Sequence, residues 1–169
     1  MDELLKQLAE WMNSEEDEHL EFKEAKNQFD FERLVRYCVA LANEGGGRFI
    51  LGVTDQIPRQ VVGTQAYQNL EKTKTGLMER LRLRIEADEI KHPQGRVLVF
   101  HIPSRPLGYP IAHQGAYWMR RGQALVPMTP DLLQRIFAET ARTSLLRFAL
   151  RPPLPIWTRR PWRTSAKGG

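Results

Sequence analysis

Four residues in the first third of the chain carry the types and spacing for phosphate chemistry: Glu16, Glu21, Lys23 and Asp55. The segment "HLEFKEA", residues 19–25, alternates, so Leu20 and Phe22 face one side while Glu21 and Lys23 face the other. Glu16 lies just upstream, and Asp55 follows the apolar run "RFILGV", residues 48–53. If the two segments are neighbouring strands, three carboxylates converge. Such a cluster repels itself unless a hard cation such as Mg²⁺ or Mn²⁺ holds it. A cation held at Glu16, Glu21 and Asp55 would activate water and stabilise charge developing on a phosphodiester, with Lys23 gripping a phosphate oxygen. The plain alternative is that acids on a strand edge are simply solvated.

A second set of residues pairs aromatic rings with cations. "AYWMRRG", residues 116–122, reads as a strand with Tyr117, Met119 and Arg121 on one face and Trp118 and Arg120 on the other. Trp118, Arg120 and Arg121 could stack bases and grip phosphates, or divide between core and ordinary surface. The C-terminal segment repeats the combination in Trp157, Arg159, Arg160, Trp162 and Arg163. The net charge of +5 resides there. Residues 140–169 hold seven basic groups and no acid, whereas the remaining 18 basic residues face 20 acidic ones. A basic arm of this kind suits a polyanion, RNA or DNA. Its proline-rich "RPPLPIW" suits equally a groove on a protein partner.

The glycines of "NEGGGRFILGVTD", residues 43–55, do not form a phosphate cradle. A Walker loop continues with lysine and then serine or threonine, and here Arg48 and Phe49 follow. A dinucleotide fingerprint runs from strand to helix, and these glycines run from helix to strand. They read as a helix stop and a sharp turn, so ATP is not expected. The single cysteine, Cys38, is a buried thiol that excludes an internal disulfide. His19, His92, His101 and His113 lack zinc-ligand spacing with it. The acidic first residues are not a signal peptide, and no apolar run reaches membrane length, so a cytoplasmic protein without a membrane partner is expected.

The elements that would position these groups follow from periodicity. Leu4, Leu5, Leu8, Trp11 and Met12 predict an amphipathic helix over 2–13, and Asp30 caps a helix over 31–44. The run after the glycines is apolar on both faces and predicts a central strand. "QVVG" is a short strand, residues 66–82 a helix, and 84–91 with 96–102 a hairpin turned by "HPQG". Pro130 opens a helix to about Arg142. This order predicts an α+β domain over residues 1–142, a mixed sheet with helices packed on it, followed by an arm over 143–169 that orders against a partner.

"HLEFKEAK", "VALANEGGGRFILGVTD", "VVG" and "YWMRRGQA", in that order, resemble the Schlafen AlbA-type domain. Its pattern is an E-S-x-x-x-E-F-K strand, a helix ending A-x-A-N-x-x-G-G, a strand ending I-G-V-x-D, a V-G and a late Y-x-R-x-G. The resemblance spans roughly residues 14–139 and implies an α+β lobe that binds nucleic acid, often in regulatory proteins. In animal relatives that cleave tRNA and rRNA, two glutamates and an aspartate do so. The glutamates map to Glu16 and Glu21, and the aspartate aligns with Asp55. Those nucleases join two lobes and carry a zinc site, whereas this chain has one lobe and Asp17 where serine is usual. A homodimer or larger homo-oligomer would rebuild the groove. Three readings follow: a nucleic-acid-binding regulatory protein, a metal-dependent endoribonuclease using Mg²⁺ or Mn²⁺, and an interaction module docking through its arm.

Overall fold

In the computed structural model, which describes residues 2–149, the chain order is α1 (Asp2–Asn13), β1 (Leu20–Lys23), α2 (Phe31–Asn43), β2 (Gly47–Leu51), α3 (Leu70–Leu81), β3 (Glu86–His92), β4 (Gly95–Ile102), β5 (Ala112–His113), β6 (Ala116–Arg121), β7 (Ala124–Pro127) and α4 (Pro130–Ala149). Asp30 starts α2 by accepting the Arg33 N–H on its side chain at 2.8 Å. The glycine run ends the helix. Gly46 has φ +94° and donates its N–H to the Leu41 carbonyl at 2.8 Å, the long bond of a Schellman cap. A Cβ on Gly47 would collide with the His19 carbonyl, because β2 begins where the backbone entering β1 passes. The glycines therefore serve the helix stop and turn that the sequence predicts, and also a close backbone approach that it does not.

The main sheet has the order β1-β2-β4-β3. β1 runs parallel to β2 with Glu21 opposite Phe49, and β4 is antiparallel to both β2 and β3. One face, carrying Phe49, Leu51, Leu98 and Phe100, packs with α2 and α3 into the larger core. The other face, carrying Phe22, Ile50, Val97 and Val99, is covered by Leu8, Trp11 and their neighbours on α1. A second, antiparallel sheet, β5-β6-β7, lies against α2. The Asn43 side chain fastens it there, donating to the Ile111 and Trp118 carbonyls and accepting the Ile111 N–H.

The α+β class and the β3–β4 hairpin agree with the sequence reading, and β1 and β2 are neighbours, as its acid cluster supposes, with a parallel orientation that it does not give. Four details differ. β1 is buried on both faces rather than half-buried, because the second sheet covers the side that carries Glu21. "QVVG" forms only a single bridge, Val53 to Val61. β5 and β7, two and four residues long, carry too little pattern to be read from sequence. α4 continues to Ala149, since no helix breaker precedes Pro152. Residues 150–169, with Trp157, Arg159, Arg160, Trp162 and Arg163, lie outside the described residues. Among those described, no helix is long and apolar enough to cross a membrane.

Candidate functional site

β1 and β2 are parallel, so their C-terminal ends finish together, Lys23 beside Leu51. The chain diverges there into two loops, one leading to α2 and one carrying Asp55. Between them lies a cleft of about 830 Å³. A crevice beyond the carboxyl ends of parallel strands is a common ligand position, because diverging loops leave space that the sheet cannot fill.

The floor of the cleft is a chain of alternating charges. Lys23 Nζ lies 2.7 Å from Glu21 Oε1 and 2.8 Å from Asp55 Oδ2. The other Glu21 oxygen accepts from Arg120 Nη1, and Arg120 also donates from Nε and Nη2 to the Gly122 carbonyl. Glu21 and Arg120 are each 1% exposed. Burial pulls the Lys23 ammonium toward neutrality, but its hydrogen bonds to Asp55 and Glu21 outweigh that pull and raise its pKa. Lys23 is therefore a fixed, charged donor at neutral pH.

Glu16 sits at the free edge of β1, where its Oε1 accepts the Phe22 N–H at 2.9 Å. Partial burial raises its pKa, opposed by that hydrogen bond and reinforced by the charge of Glu21. Arg59 holds the same segment in place. Its Nη1 donates to the Met12 and Ser14 carbonyls, and its guanidinium lies 4.2 Å over the Phe22 ring.

Arg33, from the first turn of α2, stands on the cleft wall. Its guanidinium lies 5.4 Å over the Phe29 ring and 5.9 Å over Tyr37. Gln28, Gln56 and Gln60 add side-chain amides to the lining. The Asp55 loop is closed by bonds from Thr54 N–H to the Gln60 carbonyl and from Gln60 N–H to Thr54 Oγ1. Charge, aromatic surface and amides thus converge on a space of nucleotide size.

The structure brings Glu21 and Asp55 together on Lys23, whereas Glu16 stays at the edge of β1 on the Phe22 N–H and is not joined to Lys23 by an ion pair among the described residues. The set does not fit a divalent cation. Lys23 and Arg120 occupy both oxygens of Glu21, and the Phe22 N–H takes Oε1 of Glu16. Among the described residues, no three His, Cys, Asp or Glu side chains are grouped to hold a metal ion. The ammonium of Lys23 stands where a shared ion would have to sit.

Two expectations for β6 need correction. Arg120, read as a phosphate contact, is interior, because β6 turns its inner face toward Glu21. Trp118 is only half-exposed and packs against the core, with Arg36 at 5.0 Å over its ring. Arg121 is exposed, on the opposite face. The sequence reading missed Arg33, Phe29 and the glutamines. Only Arg33 left a signal, its position in the first turn after the Asp30 cap.

The family model described as Schlafen, AlbA_2 matches residues 16–129. No curated protein matches the sequence. The crystal structure of the DIP2311 protein from Corynebacterium diphtheriae is similar with a TM-score of 0.60 at 17% identity, over 82% of this chain and 33% of that one. That likeness shows a shared fold, and this chain spans about a third of that protein's length. The N-terminal domain of a RecG-related protein from Nitrosomonas europaea aligns over 76% of this chain and 90% of that domain, at 18% identity and a TM-score of 0.47.

Proposed function

Because this chain belongs to the Schlafen AlbA_2 family, we propose that it binds nucleic acid and that the cleft beyond β1 and β2 receives an unpaired nucleotide. The observation that carries this reading is the composition of the cleft. Lys23 is fixed at the floor by Glu21 and Asp55, and Arg33 and Phe29 form one wall. An arginine can take a phosphate, an aromatic ring can support a base, and glutamine amides can meet base edges. Bases paired in a duplex cannot enter such a recess, whereas a splayed single strand can.

The test is fluorescence anisotropy with labelled single-stranded and duplex oligonucleotides of one sequence. The reading predicts tighter single-strand binding that weakens with salt, and about tenfold weaker binding by Arg33→Ala, the scale of one lost charged hydrogen bond. Absence of binding, or equal loss-free binding by the variant, would overturn it.

The ribonuclease reading draws support from the nearness of Glu21 and Asp55, with Glu16 on the adjoining edge of β1. It needs Mg²⁺ or Mn²⁺ in the place that Lys23 occupies, so we derive no cleavage step. Pairing of two copies into a longer groove, a regulatory role, and docking of the arm on a protein partner belong to the proposal through the family resemblance and the arm's composition. Gel filtration and co-purification, with and without residues 150–169, test the first and last of these.

A further inference from the structure

Lys23 and Asp55 present a matched donor and acceptor at the floor of the cleft. Among the described residues, Lys23 Nζ has two partners, Glu21 and Asp55, and an ammonium carries three N–H groups. Asp55 gives Oδ2 to Lys23, and its side chain is 45% exposed, so acceptor capacity remains on the cleft side. Thr54 and Gln60 tie the base of the Asp55 loop together.

The charges of this floor cancel. Arg120 balances Glu21 beneath, and Lys23 balances Asp55 above. A bare phosphate set on it would gain the lysine but face the aspartate at nearly the same distance. A neutral group that donates one hydrogen bond and accepts another fits better, satisfying both residues at once. In an unpaired nucleotide bound with its phosphate toward Arg33, the sugar lies between phosphate and base. The group on that sugar with both capacities is the ribose 2′-hydroxyl.

Resting on the reading that the cleft takes an unpaired nucleotide, we propose that Lys23 and Asp55 together recognise a ribose 2′-hydroxyl, so that the protein selects RNA over DNA. The hydroxyl donates to Asp55 and accepts from Lys23. Deoxyribose offers neither bond, and binding it leaves both groups shielded from water without a new partner, which is the situation in which polar sites reject an analogue most strongly.

The experiment is an anisotropy series with one unstructured 12-nucleotide sequence made as RNA, as DNA and as 2′-O-methyl RNA. The methylated sugar keeps an acceptor oxygen but cannot donate. RNA is expected to bind about tenfold tighter than DNA, and 2′-O-methyl RNA to fall with DNA. Asp55→Asn is expected to bring the RNA-to-DNA ratio toward one. Its circular dichroism melt reports whether it is folded, and the three-ligand comparison on the unaltered protein needs no variant. Equal affinity for RNA and DNA, or 2′-O-methyl RNA binding as well as RNA, would overturn the 2′-hydroxyl assignment while leaving single-strand binding intact. Failure of all three ligands to bind would overturn the nucleic-acid reading itself, and this assignment with it.

Discussion

Arg120 of β6 reaches Glu21 of β1 across the boundary between the two sheets, and both side chains are buried. The contact joins residues 99 positions apart in the chain. It decides that Glu21 is an internal anion rather than a free carboxylate, and through Lys23 it sets the electrostatics of the cleft.

Breaking that pair from one side should be costly. Glu21→Gln leaves Arg120 as an uncompensated buried charge and is expected to lower stability by about 3–5 kcal/mol, whereas Arg120→Met leaves Glu21 with Lys23 and should cost less. The double variant should recover much of the loss. Urea denaturation of the four proteins in a double-mutant cycle measures the coupling. Additive losses would mean that the two groups do not act as a pair.

Glu16 gives a pH signature. Its pKa in the folded state is raised, chiefly by burial, so the folded protein holds a proton that the unfolded chain releases. Its contribution is present below the ordinary carboxylate pKa and is lost as pH rises through the folded value. Glu16→Gln keeps an acceptor for the Phe22 N–H and removes the titration. Thermal melts from about pH 4 to pH 7 should therefore decline less with rising pH in Glu16→Gln than in the parent, by the sign of that linkage. Parallel curves would contradict this account of Glu16.

Glu139 gives the opposite signature. The Arg105 guanidinium, through hydrogen bonds of 2.8 Å to both carboxylate oxygens, holds its pKa down to about 2, aided by the Gly108 N–H. A depressed pKa contributes stability above the unfolded value, and that stability is lost as pH falls from the ordinary carboxylate range toward about 2. Because this pair ties α4 to the loop after β4, amide protection in α4, taken relative to the intrinsic exchange rate at each pH, should fall on acidification before protection in β2 and β4. Arg105→Ala should abolish the difference.

Lys23 bridges Glu21 and Asp55, so added Mg²⁺ or Mn²⁺ should leave the melting temperature of the parent protein unchanged. Lys23→Ala leaves Glu21 and Asp55 without their shared cation, and its melting temperature should rise with Mn²⁺ as ligand binding to the native state dictates. A Mn²⁺-dependent rise in the parent that Glu21→Gln abolishes would restore the metal-site reading.

The legible parts of this fold are those with local signals. Asp30 announces α2, the glycines announce its end, and the apolar run after them announces a strand covered on both faces. Even the proximity of Glu21 and Asp55 follows from pairing β1 with β2. The burial of Glu21 does not, because its partner lies in a small sheet whose flanking strands are too short to show a period. Arg120 and Arg121 are adjacent in sequence and chemically alike, yet one is interior and the other exposed. Strand alternation separates their faces but cannot say which face meets the core. The cleft glutamines sit in loops, whose positions only the assembled strands define.

The most direct test of the cleft as the binding site is an amide NMR titration of the labelled protein with an unstructured single-stranded oligonucleotide. The account predicts that the largest shift changes cluster at Lys23, Phe29, Arg33, Asp55 and Gln60. Changes confined to β3, α3 and the outer face of β6, with these five unmoved, would contradict it.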